Sequence, residues 1–564
     1  MDQRRVFINR LSRIAFLSGF IMMTGVIAVY STVTIKDSTT TWHTNTYSIR
    51  SDYGLNSAQA NTNVAKIFNC KVIENEYLKI IIVTDFGCRI VSIVYKPTNH
   101  EELYTSPCGV PYGIGGGSFY YDWLMVYSGI MPTFSEPEHG KFWIRPWKYQ
   151  LVKQTADTVS VSMSQKDTVS FANKPGKFGY GATGIECTFT VTLITGKSSV
   201  NVDVLLNNPA TQSKNYEYWT MTTLAPGSSR SDPRTTAGAE VISAVKNVNI
   251  PSSWGAIRAQ EQNVGGDIFV FNKLRMWKNW SDMGIAYAWP DATTPLNTFW
   301  GVINHDNEEG IIRVSNNDQT VGLKIWSWSY PLSVNSNSGT NLPYLELWAG
   351  KSKMFFTPDN IGANQQKTWK EYFVPTVKLV NVTHANENVV CNFTSNKTSY
   401  SGTADAKADI TAQMFFTSPG KPVTLALSFD GTTQHAAVLD TTFTADPLGN
   451  VITRSVPMTS LCNALTKITL KATGAQNSEL LNVNIPVSIT NAGNCALEVK
   501  SPLELRQATK TTGSAEKKIY NISGRLVCAI SSIADVNTLA LPKGVYIISG
   551  RFGTPQRFVI GSSR

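Results

Sequence analysis

Long stretches in which apolar and polar side chains alternate constrain this chain more than any other feature. Cys187, Phe189, Val191 and Leu193 alternate with Thr188, Thr190 and Thr192, and beyond Gly196 the residues Val200, Val202, Val204 and Leu206 alternate with polar partners. A period of two is that of a strand with one buried face, so this segment predicts a long β-hairpin. YLKIIIV from Tyr77 and RIVSIVYK from Arg89 predict a second hairpin around Asp85, Phe86 and Gly87. Helical periodicity is weak outside the N-terminus. The predicted class is therefore all-β, with large antiparallel sheets packed face to face.

A chain of 564 residues exceeds one ordinary domain. Arg4, Arg5, Arg10 and Arg13 precede a largely apolar run from Ile14 to Tyr30, the pattern of an export signal or an N-terminal anchor over residues 1–31. Residues 32–65 are rich in Ser, Thr and Asn and read as a linker or irregular strap. An aromatic-rich domain over 66–378 follows, then short Thr-, Ala- and Val-rich strands over 379–490, spaced as in an immunoglobulin-like sandwich. A last small β-sandwich is expected over 491–564. The net charge of +10 includes the N-terminal arginines and contains no dense basic run, so nucleic acid is not an expected partner. Any membrane contact would run through the N-terminal segment or a surface anchor. The eight cysteines are scattered and form no CxxC pair; buried thiols and disulfides both remain open, and no pairing is fixed.

The stretch NLPYLELWAGKSKMFFTPD, from Asn341, sets one carboxylate, Glu346, in an aromatic strand. Alternation puts Tyr344, Glu346 and Trp348 on one face. A carboxylate there is either a paired structural group or an acid-base catalyst whose pKa burial raises. The glycine run at Gly113 does not open a helix and reads as a loop at the sheet rim, not as a phosphate cradle.

Several segments, in order, resemble the galactose-mutarotase-like superfamily, the aldose 1-epimerases and their relatives, especially a bacterial branch of unassigned function. Gly87, Arg89 and Ile90 match a Gly-Gly-Arg-Ile opening, with Cys88 replacing a glycine. EHGKFWIRPWKY supplies His139, Gly140, Trp143, Arg145, Pro146 and Trp147, and a later segment ends in the pair Tyr218 and Trp219. Gly322, Lys324, Trp326 and Trp328 resemble a Gly-Lys…Trp-x-Trp strand; Glu346 lies in the place of the family's glutamate, and Trp369, Glu371, Tyr372 and Pro375 resemble its closing segment.

Mutarotation needs a base for the anomeric hydroxyl and an acid for the ring oxygen. The resemblance implies Glu346 as base and His139 as a second catalytic group. The family's second histidine is missing: Tyr218, Trp219, Thr220 and Met221 occupy its neighbourhood. His305 and Arg145 are the candidates to replace it in space. Arg89, Arg145 and Lys324 are suited to an acidic sugar or, equally, to neutralising buried carboxylates such as Glu346. Trp143, Trp147, Trp219, Trp326, Trp328 and Trp348 serve either as faces for a sugar or as core. No cofactor is expected, and no dense ligand cluster asks for a metal.

At the C-terminus, Tyr520, Asn521, Gly524, Leu541, Gly544, Val545 and Tyr546 resemble the sorting domain of the bacterial type IX secretion system. The resemblance implies a Bacteroidetes-like host, engagement of the secretion machinery, and passage through the periplasm to the cell surface or medium. The expected activity is that of an exported carbohydrate-active protein, working on a mono- or polysaccharide as an epimerase, lyase or hydrolase. The alternatives are a carbohydrate-binding module without catalysis and a structural scaffold.

Overall fold

The structure, a computed structural model, describes residues 32–44, 46, 48, 64–106, 129–136, 140–170, 179–291, 298–327, 330 and 344–493, together with four C-terminal strands between 517 and 560. The chain forms two compact units, Met1–Cys495 and Ala496–Arg564. It is all-β, as the alternation predicts. The N-terminal signal, His139, Trp328 and the Gly113 run lie outside the described residues.

A 14-stranded sheet dominates the first unit. Its path runs from the edge strands Thr34–Thr44 and Val64–Glu74 through Leu78–Val83, Arg89–Tyr95 and His100–Leu103 to Lys214–Ser228, then to Leu345–Gly350, Gly322–Ser327 and Gly284–Ala288. An eight-stranded antiparallel sheet packs against it and contains the predicted hairpin, Glu186–Ile194 with Val200–Asn207. In that hairpin Val202 faces Val191, Val204 faces Phe189 and Leu206 faces Cys187, all of them buried, so the alternating pattern lies in the inter-sheet core. The second predicted hairpin also forms, Leu78–Val83 with Arg89–Tyr95.

Residues expected to form a linker or irregular strap behave differently. Thr34–Thr44 is a regular strand, paired along its whole length with Val64–Glu74. Threonine and tryptophan are good strand formers. A Thr-rich composition reads as unstructured only when its β-branching is ignored.

From residue 379 onward, two four-stranded sheets, one around Lys407–Phe416 and the other around Pro422–Gly431, enclose a core of their own that includes Phe393, Met414, Leu425, Phe429 and Leu470. This sandwich is joined to the large domain. Phe415 packs in the large core, with its ring 5.8 Å from Tyr95. The Ser198 amide donates to the Thr417 carbonyl at 3.0 Å, and the Tyr77 hydroxyl to the Pro419 carbonyl at 3.2 Å. In the second unit, the strands Lys517–Asn521, Leu526–Ile530, Gly544–Ser549 and Gln556–Ile560 form one four-stranded antiparallel sheet. Cys70, Cys88, Cys187 and Cys391 are buried free thiols, whereas Cys462 is disulfide-bonded.

Because Phe415 belongs to the sandwich strand yet fills the large core, the two should unfold together. Phe415→Ala is expected to cost about 3–5 kcal/mol and to split a single thermal transition into two. An unchanged single transition in calorimetry would contradict this coupling.

Candidate functional site

At its centre the large sheet has two buried faces, and the strand Leu345–Gly350 shows how. Leu345, Leu347 and Ala349 enter the inter-sheet core. Tyr344 and Trp348 enter a separate aromatic cluster on the opposite face, with Trp42, Phe86, Trp143, Trp219 and Phe355. Glu346 shares that outer face, as the alternation predicts. It is the carboxylate around which the candidate site is built.

Glu346 does not meet solvent as an open base would. Its side chain is 3% exposed and forms an ion pair with Lys324, itself 4% exposed. The Lys324 ammonium donates to Oε2 at 3.2 Å and the Trp348 indole N–H to the same oxygen at 2.8 Å. Strand register explains the contact: Lys324 lies opposite Trp348 and Trp326 opposite Glu346, so the lysine reaches the carboxylate diagonally. The ammonium also sits 4.1 Å from the Trp348 ring centre, 4.9 Å from Phe355 and 5.6 Å from Trp326. A cation in such an aromatic box is held by the ring quadrupoles as well as by the carboxylate. Of the two alternatives for Lys324, neutralising Glu346 is the one that forms.

The other candidates divide between several places. Trp219 packs edge-on to Phe355, 5.2 Å between ring centres, within the outer aromatic layer. A Cβ at Gly350, opposite Trp219 in the ladder, would lie 2.4 Å from that indole, so the strand passes closely only because the residue is glycine. Trp326 is half-buried and meets Trp254 edge-on at 5.6 Å. Trp147 belongs instead to the inter-sheet core and donates its indole N–H to the Phe142 carbonyl. Arg89 is fully buried, its Nε bonded to the Phe86 carbonyl at 2.9 Å and a terminal nitrogen to the Trp143 carbonyl at 2.6 Å. It braces two loops. Arg145 is half-buried beside the Phe142 ring.

His305 is not brought to this face. It follows the strand Phe299–Asn304 of the eight-stranded sheet and lies 2.6 Å from Glu240. That corrects the expectation that it could stand in for the missing histidine: the Asn304–Glu309 turn faces away because it closes a hairpin of the second sheet. His139, the other catalytic candidate, lies outside the described residues.

A second carboxylate on the same outer face was not singled out by its sequence. Glu217 shares the register of Trp219, Met221 and Thr223, and Thr223 pairs with Glu346. Six residues of strand therefore separate the two carboxylates, about 20 Å at ordinary strand rise. Glu217 accepts the Tyr180 hydroxyl at 3.0 Å and the Phe356 amide at 3.3 Å. Burial pushes its pKa up to about 7, against the lowering effect of these hydrogen bonds. The Tyr180 amide also donates to Glu136, which lies 3.7 Å from the buried Lys141. The signal in the sequence was a lone Glu inside the apolar run YEYW. Its partners are 37 and 139 residues away and carry no local pattern.

Among the described residues, no group of three or more His, Cys, Asp or Glu side chains is placed to hold a metal ion.

The buried pair and the raised carboxyl each have a measurable consequence. Glu346→Gln leaves the Lys324 charge without its counter-ion and should cost about 3–5 kcal/mol in urea unfolding, with Lys324→Met in the same chain recovering much of the loss. If Glu346→Gln alone is as stable as wild type, the pair is not structural. For Glu217, the folded state holds the proton more tightly than the unfolded chain. Between about pH 4.5 and pH 7 it therefore binds more protons, and stability falls as pH rises through that window. The loss is on the order of 3 kcal/mol by pH 8. Thermal melts across this range should show a flatter pH dependence for Glu217→Gln; identical slopes would refute the assignment.

Comparison with known proteins adds a family. The family described as Domain of unknown function (DUF5107) matches residues 49–376. No curated protein matches the sequence. Among solved structures, a TPR-domain containing protein from Parabacteroides distasonis is similar at 15% identity and a TM-score of 0.48, over 64% of this chain and 59% of that one. The chain thus spans about three-fifths of that protein's length. A galactose mutarotase-like protein from Clostridium acetobutylicum is similar at 9% identity and a TM-score of 0.37, over 55% of this chain and 95% of the other. A galactose mutarotase-like protein from Lactobacillus casei gives 10% identity and a TM-score of 0.35, over 54% and 99%.

Proposed function

The chain belongs to the DUF5107 family, and from that premise we propose that it is an exported carbohydrate-binding protein that does not catalyse anomer exchange. The observation that carries the reading is the Lys324–Glu346–Trp348 arrangement. A general base must reach the proton it abstracts and be free to take it. Here one carboxylate oxygen, Oε2, is occupied by two donors, one of them a cation, and the side chain is 3% exposed. The candidate imidazole at His305 pairs with Glu240 in the second sheet, and the cation that does meet Glu346 is the lysine that neutralises it.

Binding has better support. The outer face carries the indoles of Trp42, Trp143, Trp219 and Trp348, and Trp326, packed against them, keeps part of its surface in solvent, as a stacking platform for sugar CH groups requires. The sequence resemblance to sugar-processing proteins points to the same ligand class. Export is supported by the N-terminal apolar run, the C-terminal sorting pattern and the disulfide at Cys462, since disulfides persist in oxidising compartments. A place at the cell surface or in the medium, reached through the periplasm and the secretion machinery, follows from this reading.

The test is a glycan array combined with polarimetry of anomer exchange. Wild type should bind at least one glycan class and leave exchange at its spontaneous rate. Exchange accelerated by wild type and abolished in the Glu346→Gln, Lys324→Met double variant would make the protein an epimerase. Absence of any glycan binding would leave a structural scaffold.

A further inference from the structure

The N-terminal hairpin does more than extend the sheet. In a flat sheet, Thr34–Thr44 would lie four strands from His100–Leu103, about 19 Å away at the usual spacing. Yet the Trp42 indole N–H donates to the Ser106 carbonyl, just beyond that strand, at 2.8 Å. The far end of the hairpin therefore curls over the outer face of the intervening strands. Trp42 fixes it there, packed edge-on to Phe86 and Phe68 with ring centres 5.9 and 6.1 Å away.

Between this arch and the sheet is a cavity of about 320 Å³. Its floor is apolar, made by Ile81, Val83 and Val91, and Trp42 closes one side. Its polar groups are unevenly charged. Lys79, half-buried on the floor strand, has no ion-pair or hydrogen-bond partner among the described residues. Arg230, exposed at the mouth, donates among the described residues to the Asn99 side-chain oxygen alone, at 3.3 Å. Among the described residues neither cation forms an ion pair; Glu74, opposite Lys79 in the ladder, is engaged by Lys96 at 2.9 Å.

The single carboxyl in the wall does not neutralise them. Glu101 is 5% exposed; its Oε2 takes the Ser92 hydroxyl at 2.6 Å and its Oε1 the Ile93 amide at 2.8 Å. Burial also lifts its pKa to about 7, so near neutrality much of it carries no charge. The cavity thus offers an apolar platform, threonine hydroxyls at Thr40 and Thr105, and two cations that form no ion pair among the described residues.

We propose that this cavity is a binding subsite for an acidic carbohydrate, one bearing a carboxylate or sulfate group that pairs with Lys79 and Arg230 while the sugar ring lies against Trp42 and the Ile81–Val91 floor. The proposal rests on the carbohydrate-binding reading above and adds to it a place and a ligand charge.

Calorimetric titration of the full chain tests it with three probes: oligogalacturonate, its fully methyl-esterified form and a sulfated galactan oligosaccharide. Tight binding of the uronate or of the sulfated probe tells which anion the site takes, and the neutral ester should bind at least about tenfold more weakly, a difference of about 1.4 kcal/mol. Lys79→Ala and Arg230→Ala should each weaken the acidic probe by a similar factor and leave the ester unchanged. Both positions are solvent-accessible, and thermal melts will establish that the variants are folded. Wild-type affinity for the acidic probe should also fall as salt rises. Equal affinity for acid and ester, variants that bind like wild type, or salt-independent binding would each overturn the subsite. If neutral glycans bind without preference for acid, only this subsite falls; if no glycan binds at all, the carbohydrate-binding reading falls with it.

Discussion

The centre of the large sheet is buried on both faces, and most of what is unusual in this protein follows from that. An antiparallel sheet commonly keeps one face in water. Here one face meets the eight-stranded sheet and the other carries an aromatic layer, so a polar side chain on either face loses its hydration. Burying an isolated charge costs far more than a domain's net stability allows. Each polar group on these faces must therefore find a partner inside the protein. Arg89 finds two carbonyls, Glu346 a lysine and an indole, Glu217 a tyrosine and an amide, and Glu101 a serine and amides of its own and the adjoining strand. Where a cation finds none among the described residues, at Lys79, its side chain is only half-buried and lines a cavity.

That constraint also explains which features could be read from the chain. Both expected hairpins depend on local sequence and short turns, and both form, the first with its expected alternating residues inward. The shared face of Tyr344, Glu346 and Trp348 was legible for the same reason. Legibility ends where a residue's role depends on a distant partner. Whether Glu346 was free or paired turned on Lys324, 22 residues away in sequence but diagonal to it across a ladder. Glu217 gained its character from Tyr180 and Phe356, which no spacing rule links to it. The strand Thr34–Thr44 was misread because its polar composition was weighed above its β-branching, and the curl that brings Trp42 to Ser106 is a tertiary event with no local signature.

The pairing at Glu346 has a counterpart elsewhere in the molecule that bears on its meaning. Glu371, in the strand Gln366–Val377, accepts the indole N–H of Trp369 at 2.9 Å and the Arg313 guanidinium at 3.0 Å. Arg313 lies opposite Phe373, two residues beyond the carboxylate, just as Lys324 lies opposite Trp348, two residues beyond Glu346. Both sites thus combine a strand carboxylate, a tryptophan two positions along the same face, and a cation reaching diagonally from the next strand. Glu371 sits between the two sheets, where it also accepts the Thr220 hydroxyl and no substrate can enter. An arrangement that serves as pure structure in one sheet needs no catalytic explanation when it recurs in the other. The Glu346 cluster then packs the outer aromatic layer, and the recognition proposed above falls on the part of that face where Lys79 and Arg230 form no ion pair among the described residues.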